Sequence, residues 1–104
     1  SYLAEQLSKL PNKCSMVFSM LNNKELDFAI NKLKTYVEHW YIAPLKTPRS
    51  YTKNQLEELF IKDNINNFNS FNTIKAAFNA ARSNIKQRQT LVVCGSFLTV
   101  SEVQ

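Results

Sequence analysis

Short apolar runs without glycine alternate along this chain with segments whose apolar residues recur every three or four positions. That alternation limits the fold more than any other feature. Residues 14–21 (CSMVFSML), 39–45 (HWYIAPL) and 89–94 (QTLVVC) have the profile of strands buried on both faces. Between them, helical spacing runs through Leu3, Leu7 and Leu10, then through Leu26, Ala29, Ile30, Leu33 and Val37. A third helix follows the capping-box pattern Thr52-Lys53-Asn54-Gln55 and carries Leu56, Leu59 and Phe60. The Asn-rich stretch 63–69, with Ile65 and Phe68 as its apolar anchors, fits a short strand. With Ser70 as N-cap, the stripe Phe71, Ile74, Phe78, Ala81 and Ile85 predicts a fourth helix. Thr99-x-x-Glu102 reads as a capping box for a fifth. The predicted order is α-β-α-β-α-β-α-β-α, an α/β domain with a mostly parallel sheet and helices on both faces.

Composition narrows the chemistry. The 104 residues hold one core and one domain, with no internal repeat or linker. One glycine stands where average usage would supply roughly seven. A GxGxxG dinucleotide loop and a GxxxxGK[ST] phosphate loop are therefore arithmetically excluded within these residues. The formal charge of +5 is mildly basic and dispersed, unlike the charge blocks of nucleic-acid tails. No apolar run approaches the roughly 20 residues that span a bilayer as a helix, and the start lacks a signal-peptide layout. Cys14 and Cys94 lack zinc-site spacing and read as reduced, strand-borne thiols of a cytosolic protein.

Few residues are placed to carry chemistry. Gly95 ends an apolar strand and precedes Ser96, and ligands of open α/β sheets bind beyond the carboxyl ends of strands. A glycine there admits close backbone approach, and Ser96 adds a hydroxyl, although a simple tight turn uses the same pair. Lys24 follows the first strand; Lys46 and Arg49 follow the second. These cations and Ser96 would ring one end of the sheet and suit a small dianion, since Arg forks onto carboxylate bidentately. Solvated loop cations are the plainer reading of the same spacing.

Lys75, Arg82 and Lys86 fall within about 40° of each other at about 100° per residue, beside the apolar stripe of the predicted 71–88 helix. Such a face suits a basic interaction module that binds nucleic acid or an acidic partner, or cations that snorkel along the core boundary. His39 has no Cys, Asp or Glu cluster and reads as structural; Trp40 and Tyr41 read as sheet packing. No paired-carboxylate, Ser/His/Asp or Cys/His arrangement is visible, so these residues do not hold a self-contained active site.

Three segments resemble a known family. WYIAPLKTPRSYTKNQLEELF (40–60), MLNNKEL (20–26) and LVVCGSFLTVSEV (91–103) are similar, in order and spacing, to the C-terminal domain of bifunctional folylpolyglutamate synthase/dihydrofolate synthase, a Mur-ligase-like family. The opening SYLAEQLSKLP resembles the first helix of that domain, so the likeness spans nearly the whole chain. The family's turn usually reads Gly-Met-x-x-Asp-Lys-Asp; here it is Ser19-Met20-Leu21-Asn22-Asn23-Lys24-Glu25, which keeps the lysine and loses the acid before it.

The resemblance implies a Rossmann-like, amino-acid-binding C-terminal ligase domain over residues 1–104. Its leading strand, with an Asp-x-Ala-His-Asn-Pro motif, is expected before Ser1. It implies a cytoplasmic enzyme of folate metabolism that uses ATP and Mg2+, held mainly by an N-terminal P-loop domain. A folate or dihydropteroate carboxylate is phosphorylated there, and the amine of glutamate attacks the acyl-phosphate. Lys24, Arg49, Gly95 and Ser96 are the expected substrate-binding residues. The chain alone is expected to be inactive.

Overall fold

The computed structural model describes residues 2–19, 26–46, 51–86, 89–94 and 98–102. The elements run α1 (Tyr2–Ser8), β1 (Cys14–Phe18), α2 (Leu26–Leu33) with a 3-10 turn (Lys34–Tyr36), β2 (Val37–Ile42), α3 (Lys53–Lys62), β3 (Phe68–Ser70), α4 (Ile74–Asn84), β4 (Thr90–Cys94) and β5 (Leu98–Glu102). The strands form one sheet in the order β3-β2-β1-β4-β5. Its first four strands are parallel, as the alternation predicts, and β5 runs antiparallel to β4.

Alternate residues of each central strand serve opposite faces. Cys14, Met16 and Phe18 of β1, Trp40 and Ile42 of β2 and Val92 of β4 meet Leu7 of α1, Ile30 and Leu33 of α2, and Leu56 and Phe60 of α3. Val17, Tyr41 and Leu91 face the other way, onto Ala77 and Ala81 of α4. Burial on both faces is why these strands read as unbroken apolar runs rather than as alternating ones. Trp40 is fully buried, and its ring meets Phe18 at 5.5 Å and Phe60 at 5.0 Å, both edge-on.

Local signals set the helix ends. At α3 the capping box forms in full: Gln55 N donates to Thr52 Oγ1 at 3.2 Å, and Thr52 N donates to Gln55 Oε1 at 2.9 Å. The helix closes on Asn64, whose φ of 61° is the left-handed conformation that a glycine usually takes. Asn64 N donates to Ile61 O at 3.0 Å and Ile65 N to Phe60 O at 2.9 Å, the paired bonds of a Schellman motif, with Ile65 buried behind them. Asparagine suits this position because its short polar side chain tolerates positive φ.

Two expectations are corrected. The fourth helix is capped by Thr73, whose Oγ1 accepts from Ala76 N at 3.1 Å, and not by Ser70. Ser70 instead ends β3, and its hydroxyl donates to Glu57. The fifth helix does not form: the segment with Thr99 and Glu102 is strand β5, in register with β4 from Cys94↔Leu98 to Thr90↔Glu102. Two adjacent β-branched residues, Thr99 and Val100, pair with Val93 and Val92 of β4, and that pairing outweighs a two-residue cap signature.

Candidate functional site

From β1 the chain steps outward through β2 to β3, then returns to lay β4 on the opposite side of β1. The carboxyl ends of β1 and β4 therefore flank a topological switch point, the place where open α/β sheets leave a crevice for ligands. Ser19 follows β1 there and is only 2% exposed, with no hydrogen-bond partner for its Oγ. The backbone beside it is tied down: Ala43 N, just past β2, donates to Phe18 O at 3.2 Å. Sequence reasoning did not single out Ser19, because it lies inside the predicted 14–21 strand, and a serine there carries no signal until its burial is known.

The candidate residues Lys24, Arg49, Gly95 and Ser96 lie outside the described residues. The strands they follow in sequence, β1, β2 and β4, are neighbours in the sheet and parallel, so their carboxyl ends share one edge. Lys46, exposed, is the described cation of that group.

A polar cluster that the sequence did not reveal fixes the opposite, amino end of the same three strands. Gln89, 5% exposed, accepts from Ser15 Oγ at 3.1 Å and from Lys86 N at 3.2 Å, and donates through Nε2 to Lys13 O at 3.0 Å and Glu38 Oε2 at 2.6 Å. Lys86 completes the cluster by pairing with Glu38. Its hydrogen bond holds the Glu38 carboxyl below the usual range, against a smaller opposing effect of burial. Hollows of about 280 Å³ beside Asn79, Arg82 and Ser83 of α4, and of about 180 Å³ beside Leu7, Leu10, Lys13 and Tyr36, lie among the described residues. Neither adjoins the switch point.

The basic stripe separates in three dimensions. The helix ends at Asn84, short of the expected 71–88, so Lys86 leaves it and joins Glu38. Arg82 lies over the Phe78 ring at 5.9 Å, and Lys75 is exposed. His39, half-buried, donates through Nε2 to Asn69 Oδ1 at 2.7 Å, and its ring lies 4.8 Å from that of Tyr41. Burial pushes the Tyr41 hydroxyl up, partly offset by a hydrogen bond with Asn84. Cys14 is a free, buried thiol. Among the described residues no three His, Cys, Asp or Glu side chains gather as metal ligands, and no helix is long and apolar enough to cross a membrane.

Known proteins decide what this scaffold is similar to. The chain is 36% identical to the dihydrofolate synthase/folylpolyglutamate synthase of Escherichia coli over 104 residues, 98% of its length. The chain is homologous to a domain-sized quarter of that enzyme. It is 33% identical to the same enzyme of Buchnera aphidicola over 97% of its length, and spans 24% of both relatives. No family model matches. Among solved structures, a Yersinia pestis folylpolyglutamate synthase/dihydrofolate synthase complexed with AMPPNP and Mn superposes with a TM-score of 0.79 at 28% identity, over 91% of this chain and 22% of that one. Escherichia coli FolC with DHPP and ADP superposes with a TM-score of 0.74 at 30% identity, over the same shares of the two chains. The family resemblance carried by segments 20–26, 40–60 and 91–103 is thus borne out, as is the α/β fold.

Proposed function

We propose that this chain is the C-terminal, amino-acid-binding domain of an ATP-dependent ligase that adds glutamate to a folate or dihydropteroate. The observation that carries the reading is similarity along 98% of the chain to a quarter of a dihydrofolate synthase/folylpolyglutamate synthase. A solved enzyme of that name with Mn, AMPPNP and L-glutamate bound gives the reading its ligand classes.

In this reading ATP phosphorylates the acceptor carboxylate, and the glutamate amine displaces phosphate to form the amide. ATP and Mg2+ belong to an N-terminal domain, because a one-glycine chain holds no phosphate loop. This domain contributes the carboxyl edge of its sheet. Lys24 and Arg49 supply charge pairing to the glutamate carboxylates, Gly95 allows close backbone approach, and Ser96 hydrogen-bonds. No general base is assigned here, since positioning and electrostatics carry such transfers.

The test is ATP-dependent incorporation of labelled L-glutamate into dihydropteroate or folate. A full-length protein carrying this chain incorporates it, and residues 1–104 alone neither ligate glutamate nor hydrolyse ATP. Turnover by the rigorously purified 104-residue chain overturns the reading, as does a full-length protein indifferent to glutamate.

A further inference from the structure

We propose that Ser19 is a positioning residue for the amino-acid substrate: its hydroxyl donates to a carboxylate of glutamate bound at the switch point between β1 and β4. This rests on the ligase reading and adds to it a residue that the family's usual Gly-Met turn does not supply.

Ser19 is 2% exposed, and its oxygen has no partner. Buried polar side-chain atoms are in large majority hydrogen-bonded, so an orphan hydroxyl needs a reason. Ser15, four residues earlier and within β1, makes an instructive contrast. Its hydroxyl sits at the amino end and is satisfied within the chain, by Gln89 Oε1 at 3.1 Å. Ser19 stands at the carboxyl end, where the strand order reverses and a ligand is expected.

The other unpaired buried side-chain atoms among the described residues are Trp40 Nε1 and Asp63 Oδ2. Trp40 lies within the aromatic cluster with Phe18 and Phe60, and Asp63 caps the C-terminus of α3. Neither ends a parallel strand. The carbonyl that precedes Ser19 is satisfied, since Phe18 O accepts from Ala43 N, and the unpaired atom is the Ser19 hydroxyl. A hydroxyl can donate to a carboxylate, and such a charge-assisted bond is stronger than a neutral one. The hydroxyl makes no hydrogen bond in the ligand-free chain, so a bond to substrate replaces none.

The experiment compares full-length wild type, Ser19→Ala and the near-isosteric Ser19→Cys, by steady-state ligation with L-glutamate varied and by thermal melts without glutamate. Both variants raise the glutamate KM about tenfold and leave kcat and the ATP KM unchanged. The ligand-free melting temperature stays level or rises in Ser19→Ala, since that substitution removes a hydroxyl with no bond to lose. A structural role would move the melting temperature down and leave KM alone, and that result overturns the proposal. So does a wild-type KM in Ser19→Cys, which would reduce the effect to packing. A wild type without glutamate-dependent turnover overturns the ligase reading and this proposal together. A ligating wild type with both variants unaffected overturns this proposal alone.

Discussion

Ser15 and Gln89, 74 positions apart in the chain, meet in a buried 3.1 Å hydrogen bond that ties the amino end of β1 to the residue entering β4. Through the same amide, Gln89 reaches Lys13 O and the Glu38 carboxylate, so one side chain holds the starts of β1, β2 and β4 together. These three strands carry the candidate site at their other ends. The cluster therefore helps set the register of the three strands whose other ends form the proposed ligand edge.

Gln89→Ala leaves the Ser15 hydroxyl, the Lys13 carbonyl and the Lys86 amide without their partner, and should cost about 2–3 kcal/mol of stability. Gln89→Glu keeps the shape but replaces a donor by an acceptor facing Lys13 O and Glu38, and should be no better tolerated. Urea denaturation of the two variants beside wild type checks both. Losses of a few tenths of a kcal/mol in each would show that water serves these groups equally well.

What the sequence disclosed and what it hid divide by range of interaction. The Thr52–Gln55 capping box and the buried strands were legible because their signals lie within a few adjacent residues. Strand β5 was misread because its fate is set by pairing with β4, a partner that no local pattern names. Gln89 looked like the polar head of an apolar run, since its four partners come from positions 13, 15, 38 and 86. Asn64 hid the end of α3, because the expected stop signal is glycine and this chain has one. The strands bordering the candidate site were read correctly, whereas Ser19 became visible only through its burial.

The Glu38–Lys86 pair predicts an acid-side loss of stability. The folded-state pKa of Glu38 is lowered from its ordinary 4.5, chiefly by the Lys86 hydrogen bond. A depressed carboxyl pKa stabilises the fold above 4.5, and that contribution fades as pH falls through the folded-state value. The Glu38 side chain is 38% exposed, so the effect should stay below about 1 kcal/mol and shrink with salt. Glu38→Gln should be less stable than wild type at pH 7 and converge with it at pH 3. Melts of the two proteins across that range test it, and a gap that persists at pH 3 would assign the loss to packing.

Burial pushes the Cys14 thiol up to about 11, from an ordinary 9.0. Its thiolate fraction near pH 8 should fall about a hundredfold, and thiolate is the reactive form. Iodoacetamide should therefore modify Cys14 in urea and spare it in the native protein, as followed by peptide mass mapping. Native labelling at the denatured rate would mean that the amino end of β1 opens readily.

Arg49→Ala tests the proposed cationic edge in a full-length protein carrying this chain. One charge-assisted bond to a carboxylate is worth roughly 1.5–3 kcal/mol, or about ten- to a hundred-and-fifty-fold in apparent glutamate affinity. Ser96→Ala removes a neutral partner and should cost less, on the order of 0.5–1.5 kcal/mol. ATP dependence should change little in either, because the nucleotide phosphates are assigned to the other domain. Lys75 is exposed on α4 and serves as the control, since its removal should leave both affinities alone. The measurement is steady-state ligation at saturating ATP with glutamate varied. A glutamate dependence of Arg49→Ala that matches Lys75→Ala would reduce Arg49 to a solvated loop cation, and the anion-binding role would then fall to Lys24 and Ser96.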